Sequence, residues 1–587
     1  MSGDAPAGLS SLKALLPYVR RRRGRFAAAL SLVFVSTLFA VSAPAFVKRA
    51  VDALESGADR RAVGWFALAL VAAGLARALL VFRGRYGMIT ASREVENDLR
   101  TELYAKMLRL PARFFDENSS GDIASRVVND VEGVRMVVGV GAMMVASSGL
   151  LFAMSLTAMF LLDAPLAALT LVPLVLVTVV TWLLTNRIYA QSETVQDRLS
   201  EVSTAAQENF TGARVIRAFS REAVENARFA AASAGYREAN LDLSRTRGVA
   251  WGLMTLLIEA TIGVTLWVGG RALVAGTMSK GDFTAFMAYQ LMLSWPVIAM
   301  GWVLTLVQRG AACMHRLEGL LAAPEAEAPA AAPPPAARGA VDVRGLTFSY
   351  AADRRPALRD VTLSVAPGER VALVGRTGAG KSTLLQLMLG LYPAPRGTLF
   401  LDGVDVCDWR RDALRGALSS VPQDIFLFSD TLAANIAFGG RGAVSDADIS
   451  EAAEASRLSA DLPAFPDGIE QVVGERGITL SGGQKQRAAL ARALVRRPAV
   501  LLLDDALSSV DVHTERDILD RLEARMAGRT CLIATHRFSI VSRVDRVVVL
   551  DDGRVVEQGT HAELMAKNGL YAELARRQRL EESLEQA

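Results

Sequence analysis

Cysteine and histidine are scarce in this chain. Its 587 residues hold three cysteines, Cys313, Cys407 and Cys531, and four histidines. The cysteines lie far apart and share no C-x-x-C spacing, and the histidines are dispersed. That pattern argues against a disulfide framework or a zinc site. A dominant charge sign is lacking too: 65 Lys+Arg against 61 Asp+Glu leave a net charge of +4. The arginines are scattered or sit beside apolar segments, so no nucleic-acid partner is expected. No cleavable signal peptide is evident. The first apolar stretch, 26–47, runs for about 20 residues, which is long enough to span a bilayer and too long for a signal core.

Apolar sequence is what the chain has in plenty. Its hydrophobic fraction is 51%, and its length exceeds one compact core. Six stretches of about 20 residues or more read as membrane spans: 26–47, 62–83, 134–161, 164–186, 248–275 and 283–308. Arg20, Arg21, Arg22, Arg23 and Arg25 precede the first and should stay cytoplasmic. An even count puts both termini on that side. The outer connections are then short: Asp52–Arg61, Asp163–Pro165 and Gly276–Asp282. The inner ones, Arg83–Gly133 and Asn186–Gly248, are long, helical and polar on one face. Leu12, Leu15, Leu16 and Val19 give residues 1–24 the spacing of an amphipathic surface helix, which Pro17 weakens.

The pattern changes after residue 322. Residues 323–338 are an Ala/Pro-rich linker. Beyond them Val341–Tyr350, Val361–Val365 and Arg370–Val374 read as strands, with helices following, as in an α/β nucleotide-binding domain. The expected organisation is an amphipathic segment (1–24), a six-helix transmembrane domain with two long intracellular loops (25–322), the linker (323–338) and an α/β P-loop domain (339–587).

Gly375-Arg376-Thr377-Gly378-Ala379-Gly380-Lys381-Ser382 fits G-x-x-x-x-G-K-[ST] between a buried strand and a helix that continues through Thr383. The glycines let backbone N–H groups approach phosphates, and the helix N-terminus adds partial positive charge. Lys381 should contact the β- and γ-phosphates and Ser382 should hold Mg²⁺. The apolar run Leu501–Leu503 ends in Asp504, a position suited to organising the same Mg²⁺. Ser481, Gly482, Gly483 and Gln484 open another helix and form a second anion-binding N-terminus. The chain's own P-loop has no need of it, whereas a nucleotide held by another subunit does.

In the order and spacing of these motifs the chain resembles a half-transporter of the ATP-binding cassette (ABC) exporter family, of the multidrug and lipid exporter type. The resemblance covers nearly the whole length. It implies that Tyr350 stacks on adenine, that Gln423 touches Mg²⁺ and the membrane domain, and that His536 is the switch histidine. It also implies that Val473–Gly477 contacts the coupling helices, that Leu480–Gln484 is the family signature, and that Ser508-Ser509-Val510-Asp511 crosses a dimer interface. Phe114-Phe115-Asp116 with Gly121-Asp122-Ile123, and Thr211–Phe219, match the two coupling regions.

The implied cofactors are ATP and Mg²⁺. The implied activity is ATP hydrolysis coupled to export of hydrophobic or amphipathic compounds by alternating access. The implied setting is the bacterial inner membrane, with membrane lipids as neighbours, a multi-pass topology and both termini cytoplasmic. A lipid flippase, an importer of large chelates and a nucleotide-gated regulator with little turnover stay as alternatives on the same architecture.

One position departs from the family. The residue after Asp504 is Asp505, where Glu normally orients the attacking water. One methylene shortens the reach, and a misplacement of ~1 Å at a catalytic group can cost on the order of 10²-fold in rate. This chain's own site is therefore expected to be slow, while its intact signature serves a partner's site. A heterodimer is favoured over a homodimer on that ground. Arg77 and Glu259 are costly inside a span and should face a cavity or a partner. Eight methionines, among them Met143, Met159 and Met254, fit packing or lipid contact better than a cargo cavity.

Overall fold

The computed structural model describes residues 9–57, 60–325, 337–351, 355–474, 480–508, 512–526 and 528–585. The expected linker lies almost wholly outside these residues. The chain divides into two compact units. One comprises the chain through Arg109 together with Asn118–Pro324, and the other comprises Leu110–Glu117 together with the chain from Glu325 onward.

The first unit is helical. Its long elements are Arg23–Glu55, Arg60–Met107, Ser120–Leu162, Ala164–Thr211, Glu222–Val274 and Lys280–Ala322. Side chains start several of them: Ser119, Asp163 and Ser279 each accept the N–H three residues on, from Asp122, Leu166 and Asp282. Pro17 stands near the start of the helix Leu16–Arg21, after a 3₁₀ segment, so the N-terminal stretch is not one continuous helix. Pro173 and Pro296 sit inside helices that run through them.

Among the described residues, five of the long helices are long and apolar enough to cross a membrane, where six spans are expected. The exception is Ala164–Thr211, whose apolar run extends only over Ala164–Val177 among the described residues. Beyond Val177 several of its residues fall outside what can be described.

Large apolar side chains stay on the outside of this unit. Along Arg60–Met107 the residues Leu68, Val71, Leu75, Leu79 and Phe82 are exposed at spacings of three and four, which makes a stripe on one helix face. Such a face suits lipid rather than water. Its interior is built from Met159, Leu166, Phe286, Tyr289 and Leu293. Met143 and Met159 are buried as packing residues. Arg77 and Glu259 are both exposed, and no ion pair joins them.

Charged contacts hold each end of the bundle. At one end Lys48 pairs with Asp282 and Lys280 with Glu55, while Asp52 accepts from Ser279 Oγ and Gly281 N, each at 3.0 Å. A Cβ at Gly281 would strike the Asp52 carboxylate. At the other end Arg22 pairs with Glu94 and Asp98, and Tyr18 donates to Glu102 at 2.8 Å. The N-terminal arginine cluster and the long connection after the second helix therefore lie on the same side.

The second unit is α/β. Strands β1 (Val341–Phe348), β2 (Leu358–Val365), β4 (Leu399–Leu401) and β5 (Val404–Asp405) form an antiparallel sheet in the order β2-β1-β4-β5. The second sheet has the order β10-β9-β3-β8-β7-β6. Its members are β3 (Arg370–Gly375), β6 (Leu418–Val421), β7 (Val500–Asp504), β8 (Thr530–Ala534), β9 (Arg546–Asp551) and β10 (Arg554–Gly559). All its pairings are parallel except β9 with β10. β3, β7 and β8 are continuous apolar runs because both faces are covered, one by the P-loop helix and the antiparallel sheet and the other by helices. Tyr350 lies two residues beyond the end of β1, not within it as the apolar pattern had placed it.

Candidate nucleotide site

Ligands of open parallel sheets bind outside the carboxyl ends of the strands. Here that edge collects the residues singled out by sequence. Gly375 ends β3, Gln423 follows β6, Asp504 ends β7, and His536 lies two residues past β8. Ala534 is in register with both Leu373 of β3 and Asp504 of β7, so the end of β8, which leads to His536, lies between the ends of β3 and β7.

The loop from β3 turns sharply into the helix Lys381–Met388. Gly380 has φ +98°, and a Cβ there would lie 2.7 Å from the carbonyl oxygen of Ala357. Only glycine fits that turn. Lys381 is the first residue of the helix and is buried, with Nζ donating to the carbonyls of Gly375 (2.8 Å) and Arg376 (3.1 Å). Burial pulls its pKa below the ordinary lysine value, against the pull of Asp504 and Asp505.

Asp504 is pushed above the usual carboxylate range by burial, while a hydrogen bond with Ser382 opposes the shift. His536 is pulled below the usual imidazole value by burial and then by Lys381. Lys381, Asp504, Asp505 and His536 thus feel one another's charge in one place. The Ser382 hydroxyl and the half-buried Asp504 carboxylate are hard oxygen donors side by side, the set that Mg²⁺ takes when phosphates complete its shell. Bound there, the ion would neutralise phosphate charge.

Asp505 has φ +49°, in the left-handed region, and its N–H donates to the carbonyl of Ala534 at 2.9 Å. Aspartate visits that region more readily than most residues because its short side chain can bond locally. Gln423 is exposed on its loop.

Tyr350 is fixed from several directions. Its hydroxyl lies 3.0 Å from Thr383 Oγ1 and 2.9 Å from Gln386 Oε1. Its ring meets Phe348 and Tyr392 edge to face, at centroid distances of 5.2 and 5.0 Å. The buried side chain of Thr383 therefore supports the tyrosine. Gln386 and Tyr392 were not singled out by sequence. Gln386 is one helical turn past Thr383, and that spacing was the available signal.

The second anion-binding motif lies elsewhere in the unit. Ser481 caps the helix Gly482–Leu494 in a reciprocal capping box: it accepts the Gln484 N–H at 3.3 Å, and Gln484 Oε1 accepts the Ser481 N–H at 2.9 Å. The Gln484 carboxamide is thereby turned back on its own helix, leaving the N–H groups of Gly482 and Gly483 at the open terminus. This helix packs on Asp446–Ala455, Leu432–Ala437 and β6, whereas the P-loop helix packs on β3 and β7.

Ser508 accepts from Gln486 Nε2 at 2.9 Å, and its carbonyl accepts from Arg537 at 2.6 Å. Arg537 also pairs with the buried Glu515. Ser509–Asp511 and Glu475–Gly477 lie outside the described residues.

Residues 26–297 match the ABC transporter transmembrane region family, and residues 358–508 match the ABC transporter family. The chain is an ABC transporter. It is 33% identical over 567 residues to an ATP-dependent lipid A-core flippase of Chromohalobacter salexigens, covering 96% of this chain and 97% of that one. It is 32% identical over 573 residues to the flippase of the same name from Nitrosococcus oceani, covering 97% and 96%. A solved bacterial Atm1-family ABC exporter with ATP bound superposes with a TM-score of 0.80 at 28% identity, covering 95% of this chain and 98% of the other. The transporter hydrolyses ATP to drive movement across a membrane.

Proposed function

We propose that the transporter exports an amphipathic, lipid-like cargo by alternating access, as one half of a dimer in a bacterial inner membrane. The full-length likeness to lipid A-core flippases carries this reading. The exposed apolar stripe of Arg60–Met107 supports it, since lipid reaches that face directly.

Six spans are proposed, with Ala164–Thr211 as the fourth, and both termini cytoplasmic beside the arginine cluster. The resident nucleotide is ATP with Mg²⁺. Tyr350 stacks on adenine, Gly375–Ser382 and Thr383 surround the phosphates, and Ser382, Asp504 and Gln423 face the ion. Ser481, Gly482, Gly483 and Gln484 close on the nucleotide of the other half. Asp505 and His536 attend the attacking water and the γ-phosphate. Ala112–Glu117 and Ala213–Ala218, two short helices midway along the inner connections, serve as coupling segments.

Asp505 favours a second, finer reading, an asymmetric heterodimer. A carboxylate one methylene short keeps this chain's own site slow. A Glu-bearing partner then supplies the fast site, which the signature of this chain completes.

The transport reading is tested in vesicles holding a lipid A-core glycolipid and, separately, a fluorescent phospholipid. ATP-dependent translocation that Lys381→Ala abolishes is expected for at least one. ATP hydrolysis with neither lipid moved would overturn the lipid cargo.

A further inference from the structure

The last helix of the chain, Leu570–Glu585, carries no motif residue. Its start is fixed by Glu557 of β10, whose carboxylate accepts the N–H groups of Leu570 at 2.6 Å and Tyr571 at 3.4 Å. A Cβ at Gly569 would strike that carboxylate, so the turn before the helix closes directly on it. Tyr571 is fully buried, in one cluster with Ala372 and Val374 of β3 and Val547 and Val549 of β9. Val371 and Leu373 alternate with these β3 residues and pack with Leu384 and Leu385 of the P-loop helix. Tyr571 therefore lies across the sheet from that helix.

Three contacts aim the tyrosine ring. It meets Phe538 at a centroid distance of 5.2 Å, and Phe538 opens the short helix Phe538–Val541 two residues after His536. Its hydroxyl lies 2.5 Å from His561 Nδ1. The imidazole also stands edge to face on the ring, at 5.7 Å. Burial pushes the hydroxyl up to about 12, so it keeps its proton and donates it to the imidazole. Two residues on, Glu573 reaches Arg376 of the phosphate loop at 3.5 Å.

We infer that Tyr571, aimed by His561, is a positioning residue for hydrolysis that sets where His536 stands relative to the phosphate loop. The inference rests on the reading of His536 as a group that attends the γ-phosphate. Thr535 N–H donates to the carbonyl of Leu373 at 3.1 Å, which ties the chain to β3 just before His536. Phe538 against Tyr571 ties it to the same strand just after. Closely packed side chains pass a displacement on to their neighbours. The bond to His561 selects one tilt of the ring, and ring pairs have directional preferences, so Phe538 follows that tilt. Without the bond, packing alone holds the ring, and the turn that carries His536 loses one of its two anchors on β3. The effect falls on the chemical step, because the P-loop helix packs on the other face of the strand.

The test uses the purified full-length chain in phosphatidylethanolamine–phosphatidylglycerol vesicles. kcat and KM for ATP are measured for wild type, Tyr571→Phe, His561→Ala and His561→Asn, each with and without His536→Gln. Single-turnover assays read the slow combinations. Tyr571→Phe and His561→Ala are each expected to lower kcat about fivefold with KM within about twofold, well inside the ~10²-fold that a 1 Å misplacement can cost. His561→Asn should recover most of the loss, because its carboxamide oxygen accepts from the tyrosine. With His536→Gln already present, Tyr571→Phe should cost nothing further, as expected for a residue that acts through the histidine.

Unchanged kcat in both Tyr571→Phe and His561→Ala overturns the inference. So does a Tyr571→Phe loss of equal size with and without His536, the mark of a general loosening of the fold. A rise in KM matching the fall in kcat would place the pair in nucleotide binding and would overturn it as well. Wild type that hydrolyses ATP no faster than His536→Gln would instead sink the reading of His536, and the inference with it.

Discussion

The backbone N–H of Asp505 donates to the carbonyl oxygen of Ala534 at 2.9 Å, tying the residue after β7 to the strand that leads to His536. The two groups expected to attend hydrolysis are thus held by one backbone contact.

Asp505→Glu is expected to raise ATP turnover of the purified transporter in lipid at least tenfold, and Asp505→Asn to lower it further. The left-handed backbone should make the glutamate variant slightly less stable, by up to about 1 kcal/mol. Brisk wild-type turnover that the glutamate leaves unchanged would mean a working homodimer and would remove the argument for an asymmetric pair.

His536 should confer acid sensitivity. Its folded pKa is lowered by burial and then by Lys381, so below its ordinary value of 6.5 the unfolded chain binds more protons than the folded one. Stability is fully present above pH 6.5 and is lost as pH falls through the folded value. Thermal melts of wild type and His536→Gln at pH 7.5 and 5.5 would show it. The wild type should lose more on acidification, and equal losses would mean that the imidazole is not held neutral.

Ser481→Ala removes a helix cap, at a cost of about 1 kcal/mol. It should also slow hydrolysis at the site this motif completes, while ATP binding to the chain's own P-loop stays intact. Separate measurement of nucleotide binding and turnover distinguishes the two effects. A variant that lost binding in proportion to turnover would place the motif on its own P-loop.

Glu515 is 1% exposed and takes hydrogen bonds from Arg537 and Ser539. Glu515→Ala is expected to destabilise the nucleotide unit by about 3 kcal/mol, as breaking a buried pair does. Because Arg537 also holds the carbonyl of Ser508, the variant should loosen the segment after Asp505. A melt within about 0.5 kcal/mol of wild type would show that the pair is not needed for the fold.

The sequence by itself determined the two-part plan, the apolar helices and the phosphate chemistry, because each rests on local pattern. A glycine-rich loop needs only its own backbone freedom, and a span needs only a run of apolar side chains. Gly375–Ser382, Asp504 and His536 were legible for that reason, and the strand order then brought them to one edge. The helix Ala164–Thr211 joins both kinds of sequence without a break, its apolar first part running on into a polar second part. Only the tertiary structure decided that Gln484 closes on Ser481, that Thr383 and Gln386 hold Tyr350, and that Tyr392 bridges Tyr350 and Asp116. Asp116 and Tyr392 are 276 residues apart in sequence, and no periodicity or motif links positions so distant. Their meeting depends on a membrane-side loop packing with the nucleotide unit, which is a property of the packed chain rather than of either segment.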